Sequence, residues 1–291
     1  MENFVVGIGE ALWDILPDGR KLGGAPANFA YHVSQFGLPG YVVSAVGDDA
    51  LGREIRESFV SKGLNHLVAE VPYPTGSVLV ELDGNGVPQY DIRKNVAWDN
   101  IPFCVTLEKL AGNTRAVCFG SLAQRNAVSR ETINRFLDAM PTEDTIVVFD
   151  INLRQNYYDR ETLHKSMERC NVLKINDEEL VEVSRMLGYE SFDFDNACRK
   201  IILEYNLKIL ILTCGINGSY VFTLENVSFQ PTPRVLVADT VGAGDSFTAA
   251  FIAALIKGKS VGEAHEQAVK TSAFVCTQEG AMPVLPEEIT A

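Results

Sequence analysis

The amino-acid sequence predicts one α/β domain over residues 1–291, with a mostly parallel central sheet that carries helices on both faces. From residue 116 onwards, short apolar runs with strand character alternate with helical patterns, and this alternation indicates parallel strands connected by helices. Residues 11–22 and 71–100 depart from the alternation, because turn residues and short alternating segments dominate there. We therefore expect these two segments to form a small β-rich lid beside the main sheet.

The chain begins with an apolar run at 4–9, which predicts a buried first strand. The Pro-Asp-Gly-Arg string at 17–20 is a turn signal, so 11–22 is expected to leave the main sheet as a hairpin. Gly23 then opens a helix that accepts Pro26 in its first turn. The elements expected up to residue 63 are a strand at 4–9, a hairpin at 11–22, a helix to about 36, a strand at 42–46 and a helix from 48 to 61.

The later elements follow from the same patterns. The Asp-Gly-Asn-Gly string at 83–86 predicts a hairpin turn between alternating segments at 77–82 and 88–92. Strands are expected at 116–119, 145–149, 172–175 and 208–213, and a late hairpin at 219–223 and 227–230. Helices are expected at 129–140, 160–170, 177–187, 195–205, 243–257 and 261–277.

Composition narrows the class of protein. The chain is 46% hydrophobic and 22% charged, as in ordinary globular proteins. A net charge of -13 argues against nonspecific binding to nucleic acid or to an anionic membrane. No apolar run is long enough for a membrane span or an export signal, so a cytoplasmic protein is expected. The six cysteines are scattered, which favours buried free thiols, and the four histidines share no ligand spacing that would predict a tight protein metal site.

The strongest chemical signal is the string Asp-Thr-Val-Gly-Ala-Gly-Asp at 239–245, which leads directly into an apolar helix. Gly242 and Gly244 let the main chain approach a ligand closely. Together with Ala243, they present main-chain N–H groups at a helix N-terminus, which is a favourable site for an anion. Asp245 lies in the first helical turn, where a carboxylate can take the proton of a hydroxyl that attacks a phosphoryl group. Gly-x-Gly-Asp alone would more often begin a buried helix, so the longer string carries the prediction.

Polar clusters also follow the other predicted strands, at the carboxyl ends where open α/β sheets bind ligands. Asp14 follows the first strand, and Gly23, Gly24 and Asn28 open the next helix. Three more clusters follow later strands: Asp150 with Asn152 and Arg154, Asn176 with Glu179, and Thr213 with Gly215 and Gly218.

These strings together resemble the signatures of the ribokinase-like (PfkB) family of carbohydrate kinases, in the family's order and over essentially the whole chain. The string at 239–245 resembles the family's carboxy-terminal signature, and Gly-Gly-Ala-Pro-Ala-Asn at 23–28 resembles its amino-terminal one. The strings at 9–14, 88–93 and 95–100 are most similar to those of bacterial fructokinases. The resemblance implies a ribokinase-like fold and Mg²⁺-dependent use of ATP, with Asp245 as the general base and the amides at 242–244 as the anion hole.

The resemblance also implies roles for the other clusters. Gly23, Gly24 and Asn28 would hold the sugar, with Asp14 in the same half of the crevice, while Asn152 and Arg154 would face the transferred phosphate. Asn176 and Glu179 would handle magnesium and phosphate. Thr213, Gly215 and Gly218 would form the nucleotide turn. Asp239 would be a candidate contact for a monovalent cation, and no tight protein site for another metal is implied.

Structural alternatives stay open for several of these residues. Asn176 and Glu179 also fit a helix capping box, and the two roles are compatible. Asp150 would support its loop by accepting main-chain hydrogen bonds, whereas Asn152 and Arg154 have no evident local role, so function is favoured. Arg93, in the predicted lid, either contacts the substrate or is simply solvated, and we favour the contact.

The function expected is transfer of the γ-phosphate of ATP to a primary hydroxyl of a sugar, with D-fructose as acceptor and fructose 6-phosphate as product. Ribose, adenosine or other nucleosides, 2-keto-3-deoxygluconate and phosphorylated hexoses are alternative acceptors. A sugar phosphate would need a basic cluster in the lid, and segment 71–100 offers only Arg93 and Lys94. A catalytically silent sensor is disfavoured because Asp245 and its glycines are present. A dinucleotide fingerprint at Gly7 and Gly9 is incomplete. The lid's strand edges could also pair two copies as a homodimer.

Overall fold

The computed structural model describes residues 3–16, 19–82, 88–189 and 193–291. Within them, the strands are β1 Phe4–Ile8, β2 Leu12–Leu16, β3 Gly19–Gly23, β4 Gly40–Gly47, β5 Asn65–Val71, β6 Gly76–Leu82, β7 Pro88–Ile92, β8 Thr114–Gly120, β9 Ile146–Asp150, β10 Val172–Asn176, β11 Ile209–Thr213, β12 Ser219–Phe222 and β13 Val227–Gln230. The helices are α1 Ala25–Gln35, α2 Ala50–Ser61, α3 Val105–Ala111, α4 Ala127–Ala139, α5 Arg160–Arg169, α6 Asp177–Leu187, α7 Phe194–Tyr205, α8 Ala243–Ile256, α9 Val261–Val275 and α10 Glu287–Thr290.

The main sheet has nine strands in the order β13-β12-β11-β10-β9-β8-β1-β4-β5. The strands from β11 to β5 pair in parallel, and β12 and β13 form an antiparallel hairpin at one edge. The prediction of a mostly parallel central sheet is therefore confirmed. Three elements were not predicted: β5, α3 and the short α10. Strand β5 lies at the sheet edge and is only half-buried, so it lacks the apolar run that marks the inner strands.

Helices cover both faces of this sheet, because successive strand residues point to opposite sides. Val5 of β1 packs with α1, α8 and α9 on one face, in a core that includes Phe29 and Phe251. Val6 and Ile8 point the other way, into a core shared with residues from α3 to α7. Helix α8 is almost entirely apolar and buried over most of its length, which its position between α1, α9 and the sheet explains.

The small sheet has four strands in the order β3-β2-β6-β7. Strand β2 pairs antiparallel with β3 and parallel with β6, so it joins the two predicted segments. The predicted turns at 17–18 and 83–86 lie outside the described residues. Segment 71–100 extends beyond this sheet, because Ala97–Asn100 forms a 3₁₀ helix that places Trp98 in the main core. In the described part of the chain, no helix combines the length and apolar character needed to cross a bilayer.

Candidate active site

The N-terminus of α8 is open towards solvent at a glycine turn. Gly242 is its N-cap and has a left-handed φ of 78°. A Cβ atom at this position would lie only 2.7 Å from the Cβ of Ala281, so a side chain would strain the backbone and clash. The N–H groups of Gly244 and Asp245 have no partner within the helix, because they lie in its first turn. The Ala243 N–H donates to the Thr240 carbonyl at 3.3 Å, so this amide is partly engaged within the loop.

Asp245 is half-buried in this first turn and accepts a hydrogen bond from Asn28 Nδ2 at 2.7 Å. This bond joins the two glycine-rich strings, one opening α1 and the other opening α8. Burial raises the pKa of Asp245 to about 6, and the nearby Asp150 charge adds to this effect. Asn28 Oδ1 is buried and has no hydrogen-bond partner within the described residues. The pair therefore offers a weakly basic carboxylate next to an unused acceptor.

Lys174 supplies a buried positive charge directly behind this turn. Its Nζ lies 3.1 Å from Asp150 Oδ1, and both side chains are less than 10% exposed. The same Nζ lies 3.1 Å from the point where a Cβ on Gly244 would sit, so the ammonium is adjacent to the glycine turn. Burial alone would lower the Lys174 pKa, but the charges of Asp150, Glu179 and Asp245 together outweigh it, so this pKa is raised.

Glu179 links two of the predicted clusters. Asn176 and Glu179 form a reciprocal capping box at the start of α6, as the structural alternative predicted. Glu179 Oε1 also accepts the Leu153 N–H at 2.8 Å, which holds the loop after β9. Burial raises the pKa of Glu179, although the Lys174 charge opposes this effect. Both oxygens of Glu179 are therefore used by main-chain amides, and its direct role is to order two loops.

Asn152 and Arg154 lie on that loop. Asn152 has a left-handed φ of 45° and lines a narrow cavity together with Asp150, Asp245 and Thr248. Arg154 is exposed. Burial raises the pKa values of Glu10, Asp14 and Asp245, and the Arg154 charge opposes this rise at all three. The structure thus brings Arg154 near the carboxylates on both sides of the site.

Asp14 lies on β2, and Gly23 at the end of β3 leaves room for its carboxylate. A Cβ on Gly23 would lie 2.5 Å from Asp14 Oδ2, and a Cβ on Gly24 would collide with the carbonyl oxygen of Glu10. Gly24 is the N-cap of α1 and has a φ of 115°, which disfavours any side chain. Burial raises the pKa of Asp14 to about 6, although the Arg154 charge opposes the shift. At both positions, neighbouring atoms therefore leave no room for a side chain.

The structure does not bring Arg93 into this cluster. Its side chain is exposed after the end of β7, and its carbonyl accepts a hydrogen bond from Arg125 Nη2. Tyr157 Oη donates to the preceding carbonyl of Ile92 at 3.2 Å. Arg125 and Tyr157 therefore anchor the end of β7, and the contact of Arg93 with a substrate stays a prediction.

The predicted nucleotide turn follows β11. Thr213 lies beside Asn176 in the pairing of β10 with β11, so this turn adjoins the start of α6. Gly215 and Gly218 have φ angles of 52° and 99°, and a Cβ on Gly218 would lie 2.6 Å from the carbonyl oxygen of Gln230. Thr232 Oγ1 donates to the Gly215 carbonyl and brings the segment before Asp239 alongside the turn.

Asp239 is engaged by groups of the chain itself. Oδ1 accepts the Val241 N–H at 3.0 Å, and Oδ2 accepts both the Gly280 N–H and Lys21 Nζ at 3.1 Å. These bonds and the Lys21 charge outweigh burial and lower the pKa of Asp239. The carboxylate predicted as a candidate cation contact therefore already has an ammonium beside it.

The sequence analysis missed three charged residues of this region: Glu10, Lys21 and Lys174. Glu10 is 3% exposed, and its Oε2 has no hydrogen-bond partner within the described residues. Burial raises the pKa of Glu10 to about 7, main-chain hydrogen bonding opposes the shift, and the Asp245 charge adds to it. Glu10 ends the apolar run at 4–9, and Lys174 interrupts the apolar run at 172–175. A single charge next to or inside an apolar run was the signal that could have found both residues.

Comparison with known proteins adds sequence relatives over nearly the whole chain. A fructokinase of Klebsiella pneumoniae is 29% identical, covering 96% of this chain and 95% of the relative. An ATP-dependent 6-phosphofructokinase of Thermoanaerobacterium thermosaccharolyticum is 28% identical, covering 92% of this chain and 83% of the relative. The two names differ in the acceptor but agree on phosphoryl transfer to a sugar.

Solved structures show the same fold. A fructokinase of Xylella fastidiosa with bound ATP superposes with a TM-score of 0.85 at 21% identity, covering 98% of this chain and 96% of that one. A fructokinase of Vibrio cholerae with fructose, ADP and calcium ion superposes with a TM-score of 0.82 at 22% identity, covering 99% and 98%. The ribokinase-like fold is thus confirmed. The model of the pfkB family carbohydrate kinases matches residues 19–288, from the small sheet to beyond the glycine turn of α8, and the chain belongs to that family.

Proposed function

We propose that this protein transfers the γ-phosphate of ATP to a primary hydroxyl of D-fructose, forming fructose 6-phosphate and ADP. The observation that carries the proposal is the position of Asp245, which lies at the open N-terminus of α8 and is held by Asn28. A base at a helix N-terminus can take a hydroxyl proton while the helix amides receive the anion that this hydroxyl attacks.

In the proposed reaction, the hydroxyl oxygen bonds to the γ-phosphorus as the bond from that phosphorus to the β-phosphate oxygen breaks. The hydroxyl proton passes to Asp245, whose pKa of about 6 leaves it mostly ionised at neutral pH. The amides of Gly242 and Gly244 and the ammonium of Lys174 oppose the charge on the transferred group. No side chain forms a covalent intermediate, so the protein contributes position and electrostatics.

Magnesium is proposed to arrive with the phosphates of ATP, as is usual for this ion. Within the described residues, no three histidine, cysteine, aspartate or glutamate side chains converge on one point. Asp150 and Glu179 have oxygens committed to Lys174 and to main-chain amides, so they would hold water molecules of the ion rather than the ion itself. When it is bound, magnesium would neutralise part of the negative charge on the nucleotide phosphates.

The nucleotide is proposed to lie along the turn that contains Thr213, Gly215 and Gly218, with Asn176 beside its phosphates. Ile216 and Leu236 lie on the two segments that the Thr232 bond to Gly215 joins, and they are 91% and 92% exposed. Exposed apolar side chains of this size suit a flat purine ring. We infer that they contact the adenine.

The acceptor is proposed to lie between the small sheet and α1, where Asp14 and Asn28 can take its hydroxyls and Arg154 its developing charge. Fructose is favoured by the similarity of the strings at 9–14, 88–93 and 95–100 to fructokinases. The 6-phosphofructokinase relative makes a phosphorylated hexose the second candidate. Its extra charge would have to be met by Arg93 and Lys94, which are both exposed next to β7.

The test is an ADP-release assay with Mg-ATP across a panel of acceptors. The panel contains fructose, fructose 6-phosphate, ribose, adenosine and 2-keto-3-deoxygluconate. We expect kcat/KM to be highest for fructose. A preference for fructose 6-phosphate that Arg93→Ala abolishes would establish the second candidate instead. Turnover with none of these acceptors, combined with ATP binding, would favour a sensor. Pairing of two copies through the small sheet and a cytoplasmic location stay predictions.

A further inference from the structure

Lys21 lies in the middle of β3, where the small sheet faces the glycine turn of α8. Its position in the strand pairing is directly opposite Asp14 of β2, so the two side chains project from the same face of the small sheet. Its Nζ reaches Asp239 Oδ2 at 3.1 Å, across 218 positions of sequence. The ammonium therefore lies between the carboxylate that we assign to the sugar and the carboxylate that begins the anion-hole loop.

Asp239 joins three segments at this point. Its Oδ1 accepts the Val241 N–H, which fixes the loop leading to Gly242. Its Oδ2 accepts the Gly280 N–H, which fixes the loop after α9, and the bond from Lys21 adds the small sheet. The conformation of the anion-hole loop thus depends on a carboxylate that an ammonium neutralises.

The charges agree with this geometry. Burial raises the pKa of Asp14, and the Asp239 charge adds to this rise while the Lys21 charge opposes it. At Asp239, the hydrogen bonds and the Lys21 charge outweigh burial and lower the pKa. Without Lys21, two carboxylates would face each other at the entrance to the site, and a cation from solution would be drawn to them. With Lys21 present, a potassium or sodium ion at Asp239 would meet an existing positive charge and a carboxylate with three donors already bound. These residues do not fit a monovalent-cation site.

We propose that Lys21 is a positioning residue that provides the positive charge at Asp239 from within the chain, and that this kinase needs no added monovalent cation. The proposal rests on the proposed phosphoryl transfer, because the loop that Asp239 holds is the proposed anion hole. The side chain of Lys21 would also connect the proposed sugar half of the site to the proposed phosphate half.

The experiment compares potassium chloride, ammonium chloride and tetramethylammonium chloride at equal ionic strength, since tetramethylammonium is too large to replace the ammonium at Asp239. Turnover is measured with fructose and Mg-ATP, and thermal unfolding is measured without substrates. The variants are Lys21→Met, which keeps the aliphatic stem, and Lys21→Arg, which keeps the charge. Arg20→Met is the matched control, because Arg20 neighbours Lys21 on β3 but pairs with Glu54 on α2.

For the wild type, we expect turnover to agree within about twofold and the Tm within about 1 °C in the three salts. Lys21→Met should lose about 10- to 100-fold in kcat in tetramethylammonium, because the anion-hole loop is no longer held in place. It should recover most of this loss in potassium or ammonium, together with a Tm increase of about 2 °C or more. Lys21→Arg and Arg20→Met should stay insensitive to the cation.

A wild-type requirement for potassium in either measurement would overturn the proposal, as would a Lys21→Met variant that ignores the cation in both. The unfolding measurement separates this proposal from the assignment of the substrate. If fructose is not phosphorylated, the expected salt response of the Lys21→Met Tm would still support the proposal, while equal Tm values in all three salts would still refute it.

Discussion

The proposed phosphate half and the proposed sugar half of the site are built differently. In the phosphate half, Asp150 and Lys174 are less than 10% exposed and paired at 3.1 Å, and Glu179 is fully bonded to main-chain amides. In the proposed sugar half, Asp14 lies on β2 of the small sheet, and Arg93 is exposed beyond the end of β7. The first set is fixed by the main core, whereas the second depends on a four-stranded sheet that packs against it.

This difference separates the chemistry from the choice of acceptor. Charges that are buried and paired do not need to rearrange when a phosphoryl group is transferred, so they suit a step common to all acceptors. Exposed side chains on a small sheet can be replaced by other residues without destabilising the main core. This explains how relatives named fructokinase and 6-phosphofructokinase can both align along nearly the whole chain.

The largest effect should come from Asp245, the proposed base, which contacts the proposed sugar half through Asn28. Asp245→Asn keeps the shape and the contact with Asn28 but removes the proposed base, so kcat should fall by about 10²- to 10⁴-fold. Rates and thermal unfolding are measured together, with Asp138→Asn, an exposed carboxylate on α4, as the control. A variant that keeps more than a third of the wild-type kcat would show that Asp245 is not the base.

Lys174→Met tests whether the phosphate half depends on its buried ion pair. Removal of the ammonium leaves Asp150 and Glu179 as uncompensated buried acids, so the free energy of unfolding should fall by about 3–5 kcal/mol. Denaturant unfolding measures the change. The double variant with Asp150→Asn should recover part of the loss, because it removes one of the unpaired charges. Simple additivity of the two single changes would contradict this description of the pair.

Glu10 gives a pH test of the boundary between the halves. Its pKa is about 7 in the folded chain and 4.5 in a free side chain, so the unfolded state releases its proton first. The free energy of unfolding should therefore fall as pH rises from about 4.5 to about 7, by about 3 kcal/mol for this group alone. The control is Glu10→Gln, which cannot ionise. As pH rises over this range, its free energy of unfolding, measured with denaturant, should increase relative to that of the wild type. Parallel pH curves for the two proteins would contradict a raised pKa of the buried Glu10 carboxyl.

Asp14→Ala should have the smallest effect of the four changes. It should weaken the affinity for the acceptor sugar and leave the affinity for ATP nearly unchanged. Loss of a charged hydrogen bond to a sugar hydroxyl should weaken sugar binding by about 1.5–3 kcal/mol, with little change in ATP affinity. Gly23→Ala is a matched variant, because its Cβ would displace the Asp14 carboxylate without removing it. Calorimetry with each ligand separates the two affinities. Equal losses for sugar and ATP would show that the two halves are not independent.

The sequence predicted the phosphate half better than the sugar half. Glycine turns and capping boxes are local patterns, so Gly242, Gly218 and the Asn176–Glu179 pair could be recognised from neighbouring residues alone. Lys21, Lys174 and Glu10 could not be assigned, because their partners Asp239, Asp150 and Asp245 are 24 or more positions away. Strand β5 was missed because an edge strand buries only part of its surface. Arg93 was predicted from its charge, and a charge alone does not fix where a side chain lies.

The hydrogen bond between Asn28 and Asp245 spans 217 positions of sequence. During synthesis, α1 leaves the ribosome long before α8, so the sugar half exists for some time without its base. Because α8 also packs between α1 and the sheet, the amino-terminal core stays exposed until the last third of the chain arrives. A contact of such long range makes folding slow and dependent on the complete chain. A ribosome-bound or truncated product that lacks α8 would therefore have neither a closed core nor the proposed base, and we expect it to show no kinase activity.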